Sequence, residues 1–135
     1  MTDTSFEVVV SAGDLRPPPG VGVVMPHRWT DGGVTVETEF SGAHLYQLAA
    51  AGCVLNDLYR EASRLGLEIR GARVRATGGF DPTTWHSTGI DYEVEVTSDA
   101  PQAEVEHLVA LVDEVAEIPK ALRAGTAVSR RRRAS

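Results

Sequence analysis

The fold of this chain depends on residues 41–53, SGAHLYQLAAAGC, which open its longest helical pattern. Ser41 can cap the start of a helix and Gly66 can end it, so the pattern predicts one helix over about residues 43–65. At 1.5 Å per residue, this helix extends roughly 34 Å, which is long for a chain of 135 residues. Apolar or small residues spaced by three and four predict its buried stripe: Leu45, Leu48, Gly52, Leu55, Tyr59 and Ala62.

The predicted helix changes character along its length. Its first half is almost entirely small or apolar, so we expect this half to be covered on most sides. Its second half carries charged residues outside the stripe. We expect these side chains to reach solvent: Asp57, Arg60, Glu61 and Arg64.

Strand patterns lie on both sides of the helix. Apolar, β-branched or alternating runs predict strands at residues 6–10, 21–25, 34–40, 67–77 and 89–97. The third of these runs follows a turn signal at residues 31–33, and its alternation places Phe40 on the inner face. The arginines of the fourth run could face the acidic row of the fifth across the sheet, which would fix the register.

A second helical region follows the strands. Asp99 can cap an amphipathic helix, which Pro119 interrupts, and a short helix follows through Leu122. Residues 126–128 could add an edge strand. The resulting order, β-β-β-α-β-β-α-α(β), is typical of an α+β domain. We expect one domain over residues 1–129.

The composition excludes several classes of protein. Four of the 13 basic residues form the run 130–133, so the rest of the chain is strongly acidic and unsuited to binding nucleic acid. We expect residues 130–135 to be a disordered basic tail. No apolar run approaches the roughly 20 residues that cross a bilayer, and residues 1–5 lack the pattern of a secretory signal. We therefore expect a cytoplasmic protein without membrane contact.

Cysteine and histidine usage limits the chemistry further. Cys53 is the only cysteine, which excludes an internal disulfide. The histidines are His27, His44, His86 and His107, and none has the spacing of a paired metal ligand. We expect neither a metal site nor a cofactor.

Three pieces of the chain resemble the OsmC/Ohr superfamily. They are residues 41–53, the break at Gly66 with the strand pattern after it, and residues 117–122, EIPKAL. Members are bacterial thiol peroxidases that reduce organic hydroperoxides, together with many relatives of unknown role. The resemblance implies an OsmC-like fold, with an antiparallel sheet packed on a long central helix. It also implies an intertwined homodimer with pockets at its interface and a peroxidatic role for Cys53.

The chain departs from the peroxidases of that family at two positions. Ile118 stands where they carry a resolving cysteine before a proline, and Ala43 stands where they carry a glutamate ten residues before the reactive cysteine. In the family this glutamate holds a catalytic arginine from an upstream loop, a place that Arg28 or Arg16 could fill here. With no second cysteine, a sulfenic acid at Cys53 would need an external thiol, or Cys53 of a second subunit, to be reduced.

Attack on a peroxide requires a thiolate, so a neighbour must lower the pKa of Cys53 from about 8.5. Arg28, in the loop before the strand that leads to the helix, is the expected cation. His44, at the mouth of the helix, could act as a general base or donor. Asp57 lies one turn beyond Cys53, and its charge would raise the thiol pKa.

The expected substrate is a hydrophobic small molecule. Tyr46 and Trp29 could wall an apolar pocket, Asn56 could donate a hydrogen bond to a ligand oxygen, and Ile118 would border the same space. Three functions stay open on this reasoning. The chain could reduce organic hydroperoxides through one cysteine, catalyse a non-redox reaction in specialised metabolism, or bind an apolar ligand without turnover.

Overall fold

The computed structural model describes residues 5–133, which form a five-stranded antiparallel sheet and three helices. The strands are β1 (Ser5–Gly13), β2 (Val23–His27), β3 (Thr30–Glu37), β4 (Gly71–Phe80) and β5 (Ser87–Thr97). The helices are α1 (Gly42–Leu65), α2 (Gln102–Val115) and α3 (Glu117–Ala124). The predicted α+β class, with an antiparallel sheet packed on a long central helix, is confirmed.

Local sequence signals set both ends of α1. Ser41 has an extended backbone, and its Oγ accepts the backbone N–H of His44 at 3.1 Å. Gly66 adopts the left-handed conformation with φ of 69°, and its N–H donates to the carbonyls of Ala62 and Ser63. The predicted long helix and both of its caps are therefore confirmed.

The sheet has the strand order β2-β3-β1-β4-β5, so β1 lies at its centre and β2 and β5 form its edges. In the β4–β5 register, Arg73 is opposite Glu95 and Arg75 is opposite Glu93. The predicted pairing of a basic row with an acidic row is confirmed. Arg75 also forms an ion pair with Glu7 of β1 at 2.9 Å, which links three strands.

The hydrophobic core lies between α1, the centre of the sheet and α2. α1 rests on β1 and β4, and α2 and α3 pack against α1. Small and β-branched side chains of the strands meet the apolar side of α1, which allows close packing. The fully buried apolar side chains include Val8, Val10, Val54, Leu55, Leu58, Val74, Leu108 and Val112.

The buried face of α1 is wider and more polar than its apolar stripe predicts. Asp57 is 0% exposed and Glu61 is 4% exposed, so the expectation that both reach solvent is wrong. Leu45, an expected member of the stripe, is exposed. The reason is that α2 and α3 fold against the charged side of α1, where Arg60 lies 3.0 Å from Asp57 and 4.0 Å from Glu117.

The β2–β3 hairpin also differs from the expectation. β2 continues through Pro26 to His27, which an edge strand tolerates because its outward N–H groups need no partner. The chain turns at Arg28 and Trp29, whereas residues 31–33, the expected turn, lie within β3.

Three further boundaries were predicted incorrectly. β3 ends at Glu37, so Phe40 follows the strand and is 91% exposed rather than buried. Asp99 does not cap α2, because its carboxylate binds the guanidinium of Arg70. Residues 126–128 lie outside the sheet in the described chain.

β4 extends further along the sequence than residues 67–77, because its glycines continue the ladder with β5. At Gly78, the chain passes close to β5 and to the buried amide of Gln47. A Cβ at this position would lie 2.9 Å from both amide heavy atoms of Gln47, so the strand requires glycine there.

No helix within residues 5–133 has the length and apolar character needed to cross a membrane. Residues 130–133 of the predicted tail are exposed and lie outside the helices and strands, and residues 134–135 fall outside the described part. The division into a domain and a tail stays a prediction.

Candidate functional site

The only thiol of the chain lies where α1 meets the first turn of α3. Cys53 is half-buried, and its Sγ accepts the backbone N–H of Ile118. The thiol donates a hydrogen bond to Oδ2 of Asp57 at 3.9 Å, one turn further along its own helix. A carboxyl oxygen of Glu117, on α3, lies within 4.8 Å of the sulfur. Two helices distant in sequence therefore meet around one sulfur atom.

A carboxyl pair and one guanidinium complete this cluster, which we call the Cys53 cluster: Cys53, Asp57, Arg60, Glu117 and Ile118. The sulfur and one carboxyl oxygen from each of Asp57 and Glu117 lie within 4.8 Å of one another. Arg60 reaches both carboxyl groups, at 3.0 Å from Asp57 and 4.0 Å from Glu117. Thiol and carboxylates are metal-ligating groups, and the guanidinium of Arg60 offsets one of the two carboxylate charges.

The surroundings of Cys53 oppose ionisation of its thiol. Burial raises the pKa of Cys53, and with the smaller effect of the negative charges of Asp57 and Glu117 it reaches about 11. The N–H of Ile118 acts in the opposite direction, because it stabilises the thiolate. Cys53 is therefore a protonated thiol at neutral pH.

The two carboxyl groups of the cluster have pKa values shifted in opposite directions. Burial raises the pKa of Asp57, against the hydrogen bond from Asn56 and the charge of Arg60. A backbone N–H and the charge of Arg60 hold the pKa of Glu117 below its usual value, against a small cost of burial. Asp57 is therefore the weaker acid of the two and Glu117 the stronger. Divergent carboxyl pairs of this kind are typical of acid–base sites.

A hydrogen-bonded chain connects this cluster to the edge of the sheet. Nε2 of His27 donates to Oδ1 of Asn56 at 3.1 Å, and Nδ2 of Asn56 donates to Oδ1 of Asp57 at 3.2 Å. The other ring nitrogen of His27 lies 2.9 Å from the hydroxyl of Thr30, and its ring meets Tyr59 edge to face. Asn56 was expected to bind a ligand oxygen, whereas both ends of its amide are occupied here.

Two residues expected to act on the thiol lie elsewhere. Arg28 is exposed on the β2–β3 turn, where its guanidinium stacks over Trp29 at 5.4 Å. His44 bonds to Oγ of Ser41 at 2.6 Å in the first turn of α1, about nine residues and therefore roughly 13 Å before Cys53. The guanidinium in the Cys53 cluster is that of Arg60. Catalytic roles for Arg28 and His44, and substrate contact by Trp29, stay predictions.

A shallow groove of about 260 Å³ lies beside the cluster. Tyr46 and Ala50 of α1 form one side, and Pro119 and Leu122 of α3 form another. Ala50 is one turn before Cys53, and Pro119 directly follows Ile118, so two lining residues are close in sequence to the cluster, although none of the five cluster residues lines the groove. A larger groove of about 650 Å³, between β5 and α2, has no contact with the cluster.

Sequence reasoning identified part of this site. Asp57 and Arg60 follow Cys53 at helical spacing, so their place beside it could be read from the sequence. Glu117 had no local signal, because only the folding of α3 back onto α1 brings it to the thiol. Ile118 was expected to contribute its side chain, whereas its backbone N–H makes the contact with sulfur.

The comparison with protein families identifies the fold family. A model of the family described as OsmC-like protein matches residues 34–130. The chain belongs to the OsmC-like protein family. The match contains every residue of the Cys53 cluster, so the candidate site lies within the OsmC-like domain.

A solved structure supports the fold of this OsmC-like chain. The crystal structure of an OsmC-like hydroperoxide resistance protein from Jannaschia sp. CCS1 matches it with a TM-score of 0.56. The two share 13% sequence identity, and the match covers 98% of this chain and 95% of that one. At this identity the likeness shows the fold alone. No curated protein matches the sequence.

The raised pKa of Asp57 predicts how stability depends on pH. A carboxyl whose pKa is higher in the folded state stabilises the fold below its unfolded pKa and loses this contribution as pH rises through the folded pKa. Asp57→Asn mimics the protonated form and does not titrate. We expect the free energy of unfolding of this variant, measured relative to wild type, to increase by about 1 kcal/mol between about pH 4 and pH 7. Urea unfolding across this range measures the difference, with Asp91→Asn on the exposed face of β5 as the control. If the stability of the variant relative to wild type instead falls as pH rises, the raised pKa of Asp57 is contradicted.

Proposed function

We propose that this OsmC-like protein reduces organic hydroperoxides through Cys53 and is restored by an external thiol. One observation carries the proposal: a half-buried thiol, bonded to the N–H of Ile118, lies at the junction of α1 and α3, and residues of the same two helices line a groove with apolar walls. The family assignment supports it, because hydroperoxide resistance is named for the structurally similar Jannaschia protein.

The proposed reaction has two steps. In the first, the sulfur of Cys53 attacks one oxygen of ROOH, the O–O bond breaks, and the products are a sulfenic acid and the alcohol ROH. In the second, two molecules of an external thiol reduce the sulfenic acid and leave as a disulfide with one water. Without a second cysteine in the chain, the reducing equivalents must come from outside it.

The groove supports a hydrophobic substrate. Tyr46, Ile90 and Leu122 give it apolar walls, and the ring of Tyr46 is held against Phe80 with centroids 5.5 Å apart. An alkyl or aryl group could lie there while its hydroperoxide end reaches the sulfur. The expected cytoplasmic location suits a reaction that consumes a thiol and remains a prediction.

A non-redox reaction on a hydrophobic small molecule is the second candidate. It is favoured by the carboxyl pair, whose pKa values are shifted in opposite directions, upward for Asp57 and downward for Glu117. The raised pKa of the thiol favours it as well, because a protonated thiol is a weak nucleophile. In that case Cys53 is dispensable, and the groove either binds or converts its ligand without oxidation of sulfur.

A peroxide assay separates these two candidates. We expect the purified protein to consume cumene hydroperoxide in the presence of dithiothreitol, and Cys53→Ser to reduce this consumption to the blank. Cys53→Ala serves as a second variant, since it removes the thiol without adding a hydroxyl. Loss of peroxide at the rate of a protein-free blank would remove the redox proposal. Conversion of another apolar substrate by Cys53→Ala would favour the second candidate.

The edge strand β2 supports the further proposal of a homodimer. Val23 and Val24 are consecutive and therefore point to opposite faces of the sheet, yet they are 63% and 53% exposed. Met25 continues this apolar edge. Exposed apolar edge strands are unusual in stable monomers, because they invite pairing with other chains. A second copy of this chain is the occupant that the family resemblance implies.

Size-exclusion chromatography with light scattering measures the assembly directly. We expect twice the mass of one 14.5 kDa chain at micromolar concentration. Val24→Lys places a charge on the exposed edge and should shift the protein toward monomer, whereas Thr97→Lys, at the end of the opposite edge strand, should leave the mass unchanged. A single-chain mass for the wild type would contradict the proposal.

A further inference from the structure

We propose that Glu117 is a catalytic proton shuttle, which accepts the thiol proton of Cys53 and delivers it to the departing oxygen of the hydroperoxide. The inference rests on the proposed function and adds to it a route by which a protonated thiol can react. A carboxyl oxygen of Glu117 lies within 4.8 Å of the sulfur, and this carboxylate also reaches solvent.

The exposure of the two carboxyl groups distinguishes their roles. The side chain of Asp57 is 0% exposed, whereas that of Glu117 is 62% exposed. Glu117 therefore lies near the sulfur on one side and is open to solvent on the other. A shuttle must reach both the proton donor and the proton acceptor, and within the Cys53 cluster this carboxylate has that position.

The neighbours of Glu117 hold it in this position. It begins α3, where a backbone N–H binds its carboxylate, and Arg60 approaches it from α1. The buried Asp57 lies 3.0 Å from the same guanidinium and so holds Arg60 beside Glu117. Asp57 and Arg60 are therefore positioning residues, which keep Glu117 aimed at Cys53 and in its ionised form.

The proposed step balances in protons and electrons. As the sulfur of Cys53 forms a bond to one peroxide oxygen, the S–H proton moves to the carboxylate of Glu117. The O–O bond breaks, and the departing alkoxide takes that proton and leaves as ROH. Sulfur is oxidised by two electrons, the peroxide is reduced by two, and Glu117 returns to its ionised form. The N–H of Ile118 offsets charge on the sulfur during the step.

The charged surroundings make such a route necessary for reaction at neutral pH. With a thiol pKa of about 11, only about one part in 10⁴ of Cys53 is thiolate at pH 7. The titratable and charged groups that face the thiol are Asp57 and Arg60 on α1 and Glu117 on α3, and His27 on β2 connects through Asn56. General acid–base catalysis typically contributes about 10²–10⁴-fold, which at its upper end is as large as the factor lost by keeping the thiol protonated.

A purely electrostatic role for Glu117 predicts the opposite outcome. If this carboxylate only repels the thiolate, its neutralisation lowers the pKa of Cys53 and accelerates every reaction of the sulfur. If it shuttles the proton, its neutralisation slows the reaction with peroxide while still accelerating alkylation. Alkylation by iodoacetamide releases iodide, which needs no proton, so its rate reports the thiolate.

The experiment compares wild type, Glu117→Gln and Glu114→Gln, a matched control on the exposed side of α2. Single-turnover oxidation of Cys53 by cumene hydroperoxide and alkylation by iodoacetamide are each followed from about pH 6 to pH 9.5. For Glu117→Gln we expect oxidation to be at least about tenfold slower at pH 7 and alkylation to be faster. The wild-type oxidation rate should be nearly flat with pH, whereas that of the variant should rise about tenfold per pH unit.

Each other outcome has a distinct meaning. Faster oxidation in Glu117→Gln, or a wild-type rate that rises tenfold per pH unit, overturns the shuttle and leaves Cys53 as a peroxidase through its thiolate. No oxidation of the wild type at any pH overturns the proposed function and the shuttle with it. Because an unfolded chain would also alkylate faster, the fold of Glu117→Gln is checked separately: its far-ultraviolet circular dichroism and its urea unfolding midpoint should match those of Glu114→Gln.

Discussion

The contact between the middle of α1 and the first turn of α3 is the interaction on which the chemistry of this molecule depends. It removes Cys53 from water, brings the N–H of Ile118 to its sulfur, and places Glu117 against the thiol. The same contact buries Asp57, whose carboxyl would otherwise be an ordinary solvated group on a helix. Desolvation therefore outweighs the single N–H donor and keeps the sulfur protonated.

This arrangement combines a family scaffold with altered chemistry. The OsmC-like fold supplies the long helix and the cysteine within it, whereas the residues expected from peroxidases of the family are replaced by Ala43 and Ile118. In their place, the cation near the sulfur comes from Arg60, on the same helix, and the carboxylates come from Asp57 and Glu117. The charge balance of the site is thus contributed locally by α1 and α3 rather than by the β2–β3 turn.

The sequence specified the elements better than it specified their contacts. Caps at Ser41 and Gly66 fixed α1 because they act on neighbouring backbone groups, and alternation fixed the facing charges of β4 and β5. The burial of Asp57 was not predictable, since it depends on where α3 packs some 60 residues later. The same limit explains Glu117, whose role exists only once two distant segments meet. The burial of Phe40 was predicted incorrectly from a local pattern, because the alternation of side chains continues to residue 40 whereas the strand ends at Glu37.

The most direct test of this account is the ionisation of Cys53 itself. The chain has a single cysteine, so protein labelled with carbon-13 at cysteine Cβ gives one resonance whose chemical shift can be followed by NMR from about pH 6 to pH 12. The account predicts a midpoint near pH 11, reached without earlier change in the neutral range. A midpoint at or below about 8.5, the value of an ordinary thiol, would show that the junction of α1 and α3 activates the sulfur instead of keeping it protonated.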